Sequence, residues 1–215
     1  MIFVFIGMPG SGKGTQAAEL VKKLGVSHIS LGEILRFHAT NNTEIGSKIK
    51  NLIGKGLLIN DDLVNNIIAD EINNCKTKKI ILDGYPRTLD QLNFLKTHFL
   101  DEKIILVYFR VERDKLINRL LNRMICSDCN KTFSEFDLEK MNYICDGCDS
   151  KNLSRRNDDD KETILKRMEV FDNQTYPIIE YIRNNQTPFL SLIEINGDDS
   201  IDNINKILYD TIKTH

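Results

Sequence analysis

Nowhere in the 215 residues is there an apolar run near the roughly 18 needed to cross a bilayer. A helical membrane protein is therefore not expected, and no membrane partner is. Excess charge of either sign is also missing. The chain has 29 Lys+Arg against 31 Asp+Glu, a formal net charge of −2 and a pI of about 6.1. Binding to nucleic acid through bulk positive charge is disfavoured on that balance. Five cysteines are too few for a disulfide scaffold. The opening apolar run, residues 2–6, is short and follows no basic leader, so no secretory signal is expected and the chain is read as cytoplasmic. Neither Asn-Lys-x-Asp for reading guanine nor a His-Arg-Asp loop for activating a hydroxyl occurs, which disfavours a regulatory GTPase and a protein kinase. There is no repeat and no low-complexity linker.

What is present is ordinary for a folded soluble chain: 41% hydrophobic and 28% charged residues. Its length allows one sizeable domain, alone or with a small insertion. Short apolar runs at 2–6, 79–83, 103–110 and 189–196 alternate with helical patterns. That rhythm predicts an α/β protein whose parallel strands are buried on both faces. Helices are expected over 15–24, stopped by Gly25, and over 61–73, opened by Asn60 or Asp61. Others are expected over 111–123, 158–185 and 200–213. In the 158–185 helix, Asp159 and Glu162 have the spacing of a capping box, and Pro177 should kink or divide it. Two segments break the alternation and read as insertions. Residues 30–59 have a helical pattern without a strand, and 124–157 hold paired cysteines among turn-formers. The second is too poor in apolar residues to build a core, and a metal would substitute for one.

After the first strand comes Gly7-Met8-Pro9-Gly10-Ser11-Gly12-Lys13-Gly14-Thr15. Glycines let the backbone curl so that successive N–H groups point inward, and the helix that follows adds its positive end. Lys13 can then reach outer phosphates, and Thr15 can place a hydroxyl near Mg²⁺. Gly14 stands where the strict pattern has Ser or Thr.

Ten arginines are present, and several fall beside these features. Arg119 and Arg123, four apart on an expected helix, would share one face. Arg156 precedes the next helix and Arg167 lies along it. Arg36 is in the first insertion, and Arg87 follows Asp83-Gly84-Tyr85-Pro86. Forked guanidinium groups match phosphate oxygens, so the set points to a site for two phosphate-bearing molecules. Asp83, at the end of an apolar strand, is where a carboxylate would orient hydrated Mg²⁺. A phosphate acceptor is already an anion and needs no general base. The four histidines lack metal-ligand spacing and read as structural or surface residues.

Cys126-x-x-Cys129 and Cys145-x-x-Cys148, fifteen residues apart, have the spacing of a tetrahedral four-sulfur site. Four thiolates would close the shell, which points to structural Zn²⁺, with iron the alternative by ligand type. Acidic neighbours such as Asp128, Glu135 and Asp146 weigh against a nucleic-acid-binding ribbon. Cys75, alone in a helical stretch, reads as a small buried residue.

Taken together, several motifs resemble the adenylate kinase family in its long-lid, zinc-containing form, along nearly the whole chain. They are residues 7–16, Gly32-Glu33-Ile34-Leu35-Arg36, Asp83-Gly84-Tyr85-Pro86-Arg87-Thr88, Gln91, Arg123, the cysteine quartet and Arg156-Asn157-Asp158-Asp159. The resemblance implies reversible phosphoryl transfer from MgATP to AMP, giving two ADP, by a monomer. It implies a P-loop, three-layer α/β/α core with a five-stranded parallel sheet over 1–29, 60–121 and 158–215. A helical AMP-binding insertion would span 30–59, and a zinc-containing lid 122–157.

Carried onto matching positions, the resemblance puts the ATP phosphates on Gly10, Ser11, Gly12, Lys13, Gly14 and Thr15. Arg119, Thr132, Phe133 and Asp199 would lie about the ATP base. Arg123, Arg156 and Arg167 would clamp phosphates, with Lys13 and Arg87 completing the catalytic set. AMP would meet Leu31, Arg36, Leu57, Leu58, Ile59, Gly84, Tyr85, Pro86, Arg87 and Gln91, with Gln91 at its base. This chain departs from the family pattern at Leu31, where Thr or Ser is usual, and at Leu57 and Asn122, where Gly is usual. A pyrimidine monophosphate kinase is the alternative reading, and a zinc-ribbon P-loop binding module a more distant one.

Overall fold

The computed structural model describes residues 1–40 and 44–215; residues 41–43, inside the expected 30–59 insertion, lie outside the described residues. Strands β1 (Ile2–Ile6), β2 (Ser27–Ser30), β3 (Ile80–Asp83), β4 (Ile104–Arg110) and β8 (Leu190–Asn196) form one parallel sheet in the order β2-β3-β1-β4-β8. Three shorter strands, β5 (Arg123–Cys126), β6 (Thr132–Ser134) and β7 (Leu153–Ser154), make a separate antiparallel sheet.

Both faces of the large sheet are covered at its centre, which is why β1 and most of β3 and β4 are apolar. On β1, Ile2, Val4 and Ile6 pack to one side and Phe3 and Phe5 to the other, all buried. The Phe face meets α1 (Lys13–Leu24) and α10 (Ile201–Thr214) through Ala17, Leu20, Ile204, Leu208 and Ile212. The Ile/Val face shares its core with α2 (Leu31–Thr40), α3 (Glu44–Gly54), α4 (Asp61–Asn73), α5 (Leu89–His98) and α9 (Tyr176–Asn184). Each fully buried Ile or Leu here contributes roughly 1.5–3 kcal/mol by leaving water. The result is the expected three-layer arrangement. A satellite core of Leu116, Leu120, Ile164 and Met168 joins α6 (Arg113–Leu121) to α8 (Lys161–Val170).

Helix ends follow the local chemistry. Gly25 closes α1 at φ +63°. The Asn60 side chain caps α4 by accepting from the backbone N–H groups of Asp62 and Leu63, and Ser200 caps α10. Other parts of the chain depart from the sequence pattern. The chain between 25 and 31 is an edge strand, β2; its Ser-His-Ile-Ser sequence has only one apolar residue and gave no strand signal. The helix expected over 111–123 ends at Leu121, so Arg123 opens β5 and shares no helix face with Arg119. Asp160, not Asp159, caps α8, accepting from the Thr163 N–H, because Asp159 is held in ion pairs. The long helix is divided just before Pro177, as expected, but by a π turn over Phe171–Thr175.

The segment holding the small sheet and helix α7 (Glu135–Lys140) has a core of only Cys126, Phe133, Leu138 and Cys145, with Met124, Met141 and Leu153 against it. Among the described residues no helix is long and apolar enough to cross a membrane.

Candidate active site

The loop after β1 lies at the carboxyl edge of the large sheet, where the chain's connections diverge to either side and ligands bind α/β folds. Gly10 and Gly12 take φ +83° and +90°, a region L side chains rarely adopt. The loop is also tight. A Cβ on Gly7 would come 2.7 Å from Ser11 Oγ, and one on Gly10 would come 3.0 Å from Leu120 Cγ. Helix α1 starts at Lys13, so its unpaired N–H groups face the loop. The Lys13 ammonium folds over the same loop, donating to Gly7 O at 2.9 Å, Met8 O at 3.0 Å and Ser11 Oγ at 3.2 Å. Burial first, then the charges of Arg87, Arg167 and Arg123, bring it down to about 8 against the opposing pull of Asp83.

Asp83 ends β3 beside the first turn of α1, where a Cβ on Gly14 would lie 3.4 Å from its Oδ2. Burial pushes its carboxyl up, but His28, Lys13 and Arg87 outweigh that and hold it below the usual carboxylate range. The His28 Nε2 is 3.9 Å from Asp83 Oδ2 and buried without a hydrogen-bond partner. Sequence reasoning set this histidine aside; it borders the site because β2 lies in register with β3, Ser30 opposite Asp83.

Five arginines cluster beside the loop: Arg87, Arg123 and Arg167 act on Lys13, and Arg36 and Arg156 lie among them. Arg123 grips Asp159 with both prongs, Nε to Oδ2 at 2.7 Å and Nη2 to Oδ1 at 2.5 Å. Arg167 reaches Asp158 Oδ2 at 2.9 Å and Asp159 Oδ1 at 3.4 Å. Arg87 Nε donates to Gly84 O at 2.7 Å. Arg156 leaves its buried Nε without a partner. Burial drives Arg87 and Arg156 down to about 10, with further repulsion from Arg167 on the first and from Arg123 and Arg36 on the second. It also lowers Arg36 and Arg167. Lys13 and these five arginines face the carboxylates of Glu33, Asp83, Asp158 and Asp159, so the site stays net positive. Asp158 and Asp159 were legible only as part of a motif; their work is to hold arginines that would otherwise repel each other.

Beside this cluster runs a cleft of about 590 Å³, counting the solvent at its mouth. Arg36, Arg87 and Arg167 line one part; Leu31, Leu35, Ile53, Leu57, Ile59 and Val64 line an apolar part, with Gln91. Leu58 also lines it. Gly56, at φ +66°, lets Arg167 pass: a Cβ there would come 2.9 Å from Arg167 Cγ. Tyr85 is buried beneath, donating to Asn65 Oδ1 at 2.7 Å, and Pro86 follows it into the Arg87 turn.

Other expected residues lie outside the arginine cluster. Arg119, on α6, donates to the O of Gly197, which borders the loop, at 3.2 and 3.3 Å and lies 3.5 Å from Asp198 Oδ1. Asp199 precedes the Ser200 cap of α10, accepting from the Ser200 N–H and from Asn203 Nδ2. Thr132 and Phe133 are on β6, Phe133 packed in the small core with Lys131 Nζ 5.5 Å above its ring. Gly197, which sequence reasoning missed, touches the loop: a Cβ there would meet Ser11 O at 3.5 Å.

The sulfurs of Cys126, Cys129, Cys145 and Cys148 all lie within 4.8 Å of one another. Cys126 to Cys148 is 3.6 Å and Cys129 to Cys145 is 3.5 Å. Sulfurs about 2.3 Å from a common tetrahedral centre stand about 3.8 Å apart, so the set could hold one metal ion. Burial raises the Cys126 thiol, but N–H groups of Cys129 and Asp128 outweigh it and bring the thiol to about 7. Despite a backbone N–H from Ser150, burial and the other three sulfurs push Cys148 up to about 12. Sulfurs so close cannot all ionise unless a cation shares their charge.

So many buried guanidinium groups around a glycine cradle are suited to phosphate esters, and the class is that of P-loop nucleotide-binding proteins. The adenylate kinase family model matches residues 5–187. An adenylate kinase of Onion yellows phytoplasma (strain OY-M) is 38% identical over 100% of this chain and 99% of its own length. One of Rickettsia africae (strain ESF-5) is 38% identical over 93% of each, and one of Rickettsia peacockii (strain Rustic) 40% identical over 86% and 87%. The chain belongs to the adenylate kinase family.

Proposed function

We propose that this chain transfers the terminal phosphoryl group of MgATP to AMP, reversibly, giving two ADP. The AMP phosphate oxygen forms a bond to the γ-phosphorus while the bond from that phosphorus to the β–γ bridging oxygen breaks. No proton needs removing, so the protein's task is to position two anions and neutralise charge. The observation that carries this reading is the packing of Arg87, Arg123 and Arg167 about Lys13, with Arg36 and Arg156 beside them; cations held this close lower one another's basicity and suit two phosphate-bearing anions. A pyrimidine acceptor is not favoured, since the named relatives are adenylate kinases.

In this reading the 7–15 loop cradles the ATP phosphates and Lys13 stabilises the migrating group. Arg36 and Arg87 hold the AMP phosphate; Arg123, Arg156 and Arg167 bridge the two nucleotides. Leu31, residues 57–59 and Gln91 receive the AMP base. Asp83 would hold Mg²⁺ through water, with Thr15 near it; its depressed pKa keeps it anionic for that purpose. Bound Mg²⁺ supplies charge neutralisation on the outer phosphates. Residues 30–59 act as the AMP-binding insertion and 122–157 as a lid on the 1–29, 60–121 and 158–215 core. Closure brings Thr132 and Phe133 over the ATP base, which Arg119 and Asp199 meet from the core, and excludes water that would otherwise take the phosphoryl group. The cysteine quartet holds structural Zn²⁺, giving the lid the rigidity its small apolar core cannot. The enzyme works as a cytoplasmic monomer.

A coupled assay with MgATP and AMP, CMP, UMP or GMP in turn tests the assignment. Fast ADP production is expected with AMP alone. Faster turnover of UMP or CMP, or only slow ATP hydrolysis with every monophosphate, overturns it.

A further inference from the structure

Asp61, in the first turn of α4, touches no part of the phosphate cluster described above. It does hold Gln91, the only uncharged polar side chain lining the cleft among the described residues. Asp61 Oδ1 accepts from Gln91 Nε2 at 2.7 Å, and its Oδ2 accepts from Thr88 Oγ1 at 2.7 Å. Thr88 Oγ1 in turn accepts from the Gln91 backbone N–H at 3.1 Å, capping α5. On the other side, Gln91 Oε1 accepts from the Arg87 backbone N–H at 2.6 Å. Gln91 is 1% exposed, so water cannot substitute for these partners.

A side-chain amide has two N–H donors and two carbonyl lone pairs. Here its partners differ in kind, for a carboxylate accepts and a backbone N–H donates. Turning the amide over would set oxygen against oxygen and N–H against N–H, each a buried mismatch. One orientation is therefore fixed, leaving one N–H and one lone pair available in a set order. We propose that Asp61 is a positioning residue for base selectivity. By locking the Gln91 amide, it lets the cleft accept the acceptor–donor edge of a 6-aminopurine and reject the reversed edge of a 6-oxopurine. The inference rests on the reading that Gln91 meets the base of the acceptor nucleotide. Nothing in the sequence ties residues thirty apart in this way; the link exists because the first turns of α4 and α5 meet.

The test compares kcat/KM for AMP and for inosine monophosphate, which reverses the edge and little else. The readout is the ratio of the two in the full-length chain and its Asp61→Ala, Asp61→Ser, Asp61→Asn and Gln91→Ala variants. Asp61→Ala should lower the AMP preference on the order of tenfold, chiefly through KM. Asp61→Ser, too short to reach Gln91 but polar at the helix start, should do the same and serves if the alanine variant does not fold. Asp61→Asn can still accept through Oδ1 and should keep the ratio within about threefold of the parent. A merely structural role would lower both substrates together and leave the ratio unmoved. An unchanged ratio in the Ala and Ser variants, with Gln91→Ala still losing selectivity, overturns the Asp61 inference alone. So does Asp61→Asn falling as far as Asp61→Ala. An unchanged ratio in Gln91→Ala overturns the reading of Gln91, and the inference with it.

Discussion

Arg123 and Asp159 form a two-pronged ion pair, 2.7 Å and 2.5 Å long, with side chains only 13% and 4% exposed. It ties the first residue of β5, where the cysteine-bearing segment begins, to the approach to α8. A fork-to-fork pair fixes direction as well as charge. The guanidinium is thus held ready for phosphate oxygens before any nucleotide arrives.

Arg123→Lys keeps the charge and loses the fork. Its kcat should fall on the order of 10²-fold while the thermal midpoint drops by only a few degrees. Steady-state kinetics and a melting curve check this; a kcat within about threefold of the parent would remove Arg123 from the phosphate clamp.

Lys13→Met should lose at least about 10³-fold in kcat without unfolding. The stability effect has a definite sign. A lysine whose pKa falls from 10.5 when unfolded to about 8 when folded opposes folding below pH 8. That opposition fades as pH rises between those values. The variant should therefore melt higher than the parent at pH 7, with the gap closing toward pH 10.5. Melting curves across that range would contradict the assignment if the variant were the less stable at pH 7.

The same titration should appear in catalysis. Free enzyme loses the Lys13 proton near pH 8, so kcat/KM for MgATP should decline above that pH. Bound phosphates restore the ammonium, so kcat should stay level to higher pH. Coincident declines in both profiles would mean that the phosphates do not neighbour Lys13.

Stripping metal from the cysteine quartet should lower the melting temperature by at least about 5 °C and expose residues 122–157 to protease. AMP affinity should fall less than stability does, because the cleft is lined from outside that segment and only Arg123 and Arg156 reach toward the phosphates from within it. Cys148→Ser should reproduce the loss. A melting curve indifferent to chelator would leave the quartet without a structural task.

The phosphate loop was legible from sequence because its requirement is a backbone shape, and only glycine at fixed intervals provides that shape. The four apolar strands were legible for a similar reason, since burial on two faces leaves few polar positions, and even the edge strand β8 keeps four apolar residues beside Ser191 and Glu194. Strand β2 was not, because an edge strand of Ser27, His28, Ile29 and Ser30 carries no such signature. Neither were β5, β6 and β7, which are two to four residues long and held by pairing rather than by an apolar face. In the run Asp158-Asp159-Asp160, each residue could cap a helix on its own. Tertiary partners decide: Arg123 and Arg167 claim the first two and leave Asp160 for α8. Arg123 itself read as helical because its spacing from Arg119 is that of one turn, whereas the helix stops at Leu121.

The π turn at Phe171–Thr175 has a consequence for both ends of its helix. Its widened bond, from the Tyr176 N–H to Phe171 O, adds one residue to a turn. A single added residue offsets the angular phase of everything after it by about 100°. With that offset, Arg167 on α8 looks into the cleft while Ile178, Ile179 and Ile182 on α9 look into the sheet. The bulge also brings Thr175 Oγ1 to donate to Arg87 O at 2.9 Å. Deleting one residue there would make a straighter rod, but one unable to serve anion and hydrocarbon at once.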